Sequence, residues 1–120
     1  MDRPRRTWSL ETTVEQVDGG AVVAARGRIG SVTAGTFAAA VMSAIGTTSR
    51  LVIDLQEVDY ISGAGIAVLH DATTHSGQVI LCGLRDSVRI TLELAGLLQG
   101  VTVLESRDSA VRELRAMGDQ

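Results

Sequence analysis

Ser62, His70, His75 and Cys82 carry the side chains that most invite a catalytic reading, and their spacing speaks against it. His70 and His75 are the only histidines. Five positions apart on or near one helix, they project about 140° from each other at roughly 100° per residue, so they do not form the i, i+4 pair of a zinc site. Both read as solvent-facing. Ser62 lies in Ile61-Ser62-Gly63-Ala64-Gly65, which is not the G-x-S-x-G elbow of a hydrolase, and no spacing of Ser, His and Asp suggests a triad. Cys82, the one cysteine, excludes an internal disulfide and a cysteine-rich metal site. Its run VILCGL reads as a buried strand holding an inert thiol. No catalytic residue, metal or cofactor is expected.

The helix start at Gly63-Ala64-Gly65 supports a second chemistry. It follows a strand and opens a helix, where backbone N–H groups and the dipole attract anions. Two glycines match the dinucleotide fingerprint, but Val68 occupies the third position, and the acidic residue expected ~20 positions on has only Asp86 nearby. No Gly-Lys-Ser/Thr of a P-loop exists. A small nucleotide- or anion-binding domain therefore stands as an alternative. Ser62 as N-cap and Gly65 as a packing glycine account for the same residues without a ligand. That account leaves unexplained why the outward-facing turn residues are so small. A flat, side-chain-poor turn is what a docking surface can use.

The elements that would position this turn follow from the hydrophobic pattern. Residues 7–16 and 21–28, joined across Asp18-Gly19-Gly20, read as a hairpin with Trp8 over one edge of the core. Ser31 is expected to cap a helix over 32–45 with Phe37, Val41, Ala44 and Ile45 inward and Gly46 as its stop. Leu51 to Leu55, broken only by Asp54, suits a strand covered on both faces, with a short polar connection after it. The helix from Gly63 turns Ile66, Leu69 and Ala72 inward. A strand over 78–84 follows, then a helix capped by Asp86-Ser87 with Val88, Leu92 and Ala95 on one face and Gly96 closing it. A strand at 101–104 leads to a last helix capped by Ser106, with Val111 and Leu114 inward. The order β-β-α-β-α-β-α-β-α predicts an α/β fold: a small mixed sheet, mostly parallel, with an opening antiparallel hairpin and about four helices.

Bulk properties narrow the partners. A chain of 120 residues forms one domain, here expected over 7–120 behind a flexible basic tail, 1–6, holding Arg3, Arg5 and Arg6. With 11 basic against 14 acidic residues and only Trp8, Phe37 and Tyr60 as aromatics, neither an electrostatic footprint nor a stacking platform for nucleic acid is present. No apolar run approaches the ~18 residues of a membrane helix, and no signal-peptide segment leads the chain. A cytoplasmic protein that binds neither nucleic acid nor membrane is expected.

The stretch LQEVDYISGAGIAVL resembles the signature of the STAS domain family, the bacterial anti-sigma factor antagonists. RGRI before the first helix and VILCGLRDSVRITLELAGL after the second are similar to the family's flanking segments, so the likeness spans roughly residues 10–115. The resemblance implies a non-catalytic module that docks onto an anti-sigma factor of the histidine-kinase-like ATPase type and so frees a sigma factor. It implies docking through Gly30, Ser31, Ser62, Gly63, Ala64 and Gly65. Tyr60 and Ile61 match the family's aromatic–aliphatic pair and Gly65 its motif glycine. The phosphoacceptor serine, however, falls on Gly63, Ala64 follows it, and Gly30 stands where an Asp is often found. Phosphorylation of that serine switches relatives off by adding about −1.5 to −2 charges to the docking face. Here three outcomes stay open: a permanently docking-competent form, a phosphosite moved to Ser62 or Ser31, or a different partner. Oligomeric state is left open.

Overall fold

The computed structural model describes residues 9–118; the basic segment 1–6 and Trp8 lie outside them. Nine elements follow in the expected order: β1 (Leu10–Val17), β2 (Gly20–Ile29), α1 (Ala34–Ile45), β3 (Arg50–Ile61), α2 (Gly63–His75), β4 (Gln78–Cys82), α3 (Asp86–Leu94), β5 (Thr102–Leu104) and α4 (Arg107–Gly118). They build a five-stranded sheet ordered β1-β2-β3-β4-β5, antiparallel between β1 and β2 and parallel thereafter.

Strand alternation divides the sheet into two apolar faces. Ala21, Val23, Leu51, Ile53, Val79 and Leu81 point to one side, where they are buried with Phe37, Val41 and Ala44 of α1, Leu69 and Ala72 of α2, and Val88 and Leu92 of α3. Val22, Val52, Ile80 and Cys82 point to the other, covered by Ala110 and Leu114 of α4. One helix thus closes the back of the sheet while three close its front. A strand covered on both faces reads as a continuous apolar run, and β3 does so from Leu51 to Leu55.

Asp54 interrupts that run because it points to the back, where α4 begins. Its Oδ2 lies 3.7 Å from Nη1 of Arg107, and Oδ1 accepts a hydrogen bond of 3.0 Å from the Gln56 backbone N–H. Arg107 reaches on to Glu15 of β1 at 2.7 Å, so one guanidinium links α4 to two strands.

β3 does not end at Leu55 in a polar connection, as its sequence suggests; it continues to Ile61. Its register against β2 slips twice, between Ala24 and Arg26 and between Gly27 and Arg28. From Ala21↔Leu51 to Ile29↔Ile61, β2 advances 29 − 21 = 8 residues and β3 advances 61 − 51 = 10. Two β-bulges absorb the difference. Inward residues therefore fall three apart, at Leu55, Val58 and Ile61, all buried, and period-2 reading loses the strand. Pairing with β4 stops at Asp54↔Cys82, so carbonyls beyond it need other partners. Arg85 Nε donates to Gln56 O at 2.9 Å and Ser87 Oγ to Asp59 O at 3.3 Å.

That engagement corrects the expected cap of α3. Arg85 occupies the N-cap position with no side-chain cap bond, and Asp86 falls in the first turn, because Ser87 is turned to β3. Ala95 is the C-cap and is exposed; Leu97 takes its place in the core. Gly96, at φ +74°, closes the helix as expected. Ser106 caps α4, its Oγ accepting from Ser109 N at 3.1 Å.

Gly27 has the left-handed φ of +125°, and a Cβ there would come within 2.6 Å of Ser9 O. Gly27→Ala is accordingly expected to cost about 1–3 kcal/mol, read as a lowered denaturation midpoint at unchanged m-value.

Cys82 is fully buried on the back of the sheet. Burial pushes its thiol up to about 12 from 9.0, and the charge of Asp54 adds to the effect against the opposing pull of Arg107. The folded state holds its proton where the unfolded chain would release it. Stability is therefore unaffected by this group below pH 9 and falls as pH rises from about 9 toward 12, by up to ~1.4 kcal/mol per pH unit. The alkaline limb is not crowded by lysines, since all 11 basic residues are arginine. Cys82→Ala should flatten the drop in a pH series of urea melts, and the native thiol should resist a disulfide reagent at pH 8.

Candidate functional site

The site is built where β2 and β3 end together. Ile29 and Ile61 are register partners, and Ser62 N–H donates to Ile29 O at 2.8 Å, carrying the ladder one residue further. Both segments then leave the sheet at the same end, one toward α1 through Gly30-Ser31-Val32-Thr33, the other directly into α2. This brings the loop that begins at Gly30 and Ser31 to the same end of the sheet as Ser62–Gly65, far apart in sequence.

Ser62 is the N-cap of α2, with extended backbone at φ −95° and ψ 177°. Its O accepts from Ile66 N at 2.9 Å and its Oγ from Gly65 N at 3.4 Å. The second is long for a hydrogen bond, so the half-buried hydroxyl is only loosely engaged. Gly65 is a packing glycine. A Cβ on it would lie 2.6 Å from Ile29 Cγ2 and 2.7 Å from Ile61 Cγ1, which is how α2 comes down onto the sheet. Gly63 is the opposite case: exposed, with nothing within 4 Å of where a Cβ would stand. Ala64 is exposed beside it.

Ser31 does not cap α1. Thr33 is the N-cap residue, and its side chain makes no cap bond to the helix. Its hydroxyl instead turns back into the loop, donating to Arg28 O at 2.6 Å and accepting from Gly30 N at 2.9 Å. Gly30 O closes the turn by accepting from Thr33 N and Ala34 N. The loop is thus fixed by Thr33, and Ser31 and Val32 are left outside, both exposed. Of the six residues expected to meet a partner, Ser31, Gly63 and Ala64 are exposed and Ser62 is half-buried. Gly30 and Gly65 are buried; they shape the surface and do not present one.

Two residues that the sequence reading did not count among those meeting a partner are exposed at this end of the sheet. Val32, assigned there to the helix, is 73% exposed next to Ser31. Tyr60 is 41% exposed and carries the Arg28 guanidinium over its ring at 4.6 Å from the centroid, within the range of a cation–π contact. Strand alternation turns this pair to the back of the sheet while Ile29 and Ile61 point to the front. The signal for Tyr60 was the polar texture of Gln56–Tyr60, hidden by the bulges. His70 and His75 are exposed on α2, and among the described residues no group of three or more His, Cys, Asp or Glu is placed to hold a metal ion. No helix among them is long and apolar enough to cross a membrane.

A small mixed sheet with helices on both faces and an outward, side-chain-poor turn at the ends of β2 and β3 makes this a protein of the α/β class. The sequence model of the STAS domain family matches residues 11–110, and the chain belongs to that family. It is 29% identical over 106 residues to BtrV of Bordetella bronchiseptica, named as an anti-sigma factor antagonist, covering 84% of this chain and 91% of that protein. An anti-sigma factor antagonist from Mycobacterium paratuberculosis has a similar structure, with a TM-score of 0.82 at 27% identity over 89% of this chain and 95% of that one. The anti-sigma factor antagonist SpoIIAA in its unphosphorylated form shares the fold, with a TM-score of 0.71 at 14% identity, over 88% of this chain and 98% of its own. SpoIIAA has also been solved in its phosphorylated form.

Proposed function

We infer that this chain is an anti-sigma factor antagonist: a non-catalytic protein that docks onto a histidine-kinase-like anti-sigma factor in the cytoplasm and thereby frees a sigma factor. Docking runs through the turn Ser62–Ala64 and the neighbouring Ser31 and Val32. The usual serine switch is absent, because Gly63 stands at the phosphoacceptor position. The observation that carries the reading is the open space over Gly63. The position where relatives hold a modifiable hydroxyl is outward-facing here, with room for a serine side chain, yet carries no side chain at all. A glycine resembles unmodified serine more than phosphoserine, so the protein stays in its docking-competent form.

The nucleotide-binding alternative gains nothing from the turn. Gly65 N–H is directed to Ser62 Oγ, and Gly65 itself is pressed against Ile29 and Ile61, so the second glycine serves packing and not a close approach by phosphate.

Incubation with the cognate anti-sigma factor and ATP, followed by mass spectrometry, tests the switch. Stable binding without phosphate transfer is expected; phosphate on Ser62 or Ser31 would show a displaced switch. Stabilisation by nucleotide alone in a thermal melt would favour the alternative, because a ligand bound only to the folded state raises its stability.

A further inference from the structure

Thr33 is the kind of residue that caps a helix, yet α1 starts without a side-chain cap. An N-cap threonine ordinarily has extended backbone and accepts a hydrogen bond from the first turn. Thr33 instead has φ −98° and ψ −6°, and no acidic residue in the first turn makes up for the missing bond. At the same end of the sheet Ser62 has the ordinary arrangement, with ψ 177° and its side chain accepting from Gly65 N. The start of α1 is thus less stable than a threonine there could make it.

The hydroxyl is committed elsewhere. Among the described residues, the buried polar side chains are Thr33 and Asp54. Asp54 lies against a guanidinium, whereas Thr33 serves backbone groups alone. It donates to Arg28 O at 2.6 Å and accepts from Gly30 N at 2.9 Å. Gly30 O in turn accepts from Thr33 N at 3.2 Å and from Ala34 N at 2.8 Å. These four hydrogen bonds close the segment from Gly30 to Thr33 on itself. Ser31 and Val32, between its ends, make none of them and stay exposed.

We propose that Thr33 is a positioning residue, whose hydroxyl holds the loop of Ser31 and Val32 in one shape before a partner arrives; the role rests on the docking proposed above. A loop that must be ordered during association gives up part of its binding energy, and a preformed one does not. Where only a fraction of molecules holds the competent shape, the apparent Kd rises by the reciprocal of that fraction. Val32 is β-branched and has little χ1 freedom of its own, so the loop backbone decides where its methyl groups stand. A valine in place of Thr33 would fill the same space and leave Gly30 N and Arg28 O without their partner. Both groups would then turn toward water, and the loop would open to let them.

Binding to the cognate anti-sigma factor, measured well below the melting temperature of each variant, tests the role. Thr33→Val should raise Kd about ten-fold or more, while Thr33→Ser, which keeps the hydroxyl, should stay within about three-fold of the parent. Leu114→Ala separates positioning from general stability. Leu114 is fully buried on the back of the sheet, so its truncation should lower Tm and leave Kd within about two-fold. Hydrogen exchange of the free protein needs no partner and does not depend on Thr33→Val folding. The Gly30 amide should exchange about a hundred-fold or more slowly than in an unstructured peptide, in the parent and in Thr33→Ser alike. A parent that does not bind the anti-sigma factor overturns the proposed function and this role with it. A parent that binds, with Thr33→Val binding equally well, Leu114→Ala weakened as much as Thr33→Val, or an unprotected Gly30 amide, overturns the positioning role alone.

Discussion

Gly63→Asp is expected to weaken capture of the anti-sigma factor at least ten-fold, equivalent to about 1.4 kcal/mol or more, without lowering the stability of the protein. The structure separates the two effects. Nothing lies within 4 Å of a Cβ at Gly63, so the new side chain enters open space, and a carboxylate at a helix start is favoured by the dipole. The same carboxylate puts a fixed negative charge at the centre of the proposed docking turn, where a partner would have to exclude water from it. Gly63→Ser is the complementary experiment. It should dock as the parent does, then accept phosphate from a kinase-type partner and be released. Biolayer interferometry with the purified partner, with and without ATP, reads both. Undiminished capture of Gly63→Asp would move the interface away from this turn.

Gly65→Val, two residues on, is expected to act in the opposite manner: a loss of about 2–3 kcal/mol from overpacking and a drop in Tm of roughly 10 °C. Its Cβ alone would stand 2.6 Å from Ile29 Cγ2 and 2.7 Å from Ile61 Cγ1. Neither isoleucine can retreat easily, since both are buried at the paired ends of β2 and β3. Relief must come from lifting the first turn of α2, which carries Gly63 and Ala64 with it. Docking should therefore weaken as well, as a consequence of displacement. Thermal unfolding by circular dichroism decides it: a Tm within 2 °C of the parent would mean that α2 can shift without cost.

The contrast between these two glycines also marks how far the sequence could be read. Turn chemistry at Asp18-Gly19 and apolar spacing at Phe37, Val41 and Ala44 are local signals, and they located the hairpin and α1 correctly. The full length of β3 was not legible, because two bulges replace the period of two by Leu55, Val58 and Ile61 at intervals of three. Caps were read by residue type, and type alone does not say where a hydroxyl points. Thr33 and Ser87 are both drawn to carbonyls of other segments, Arg28 O and Asp59 O. The juxtaposition of Ser31 with Ser62 was expected from family resemblance, whereas the exposure of Val32 and the stacking of Arg28 on Tyr60 depend on loop and strand geometry that a linear pattern does not encode.

The bulges of β3 have a further consequence for how this protein can change. Between Leu51 and Ile61 the strand holds two residues more than β2 uses over the same distance, stored as slack at exposed positions such as Gln56 and Asp59. A deletion there can be absorbed by straightening a bulge while Ile61 keeps its partner Ile29 and Ser62 its place at the strand end. The proposed docking turn is thereby insulated from a loss of chain length beneath it.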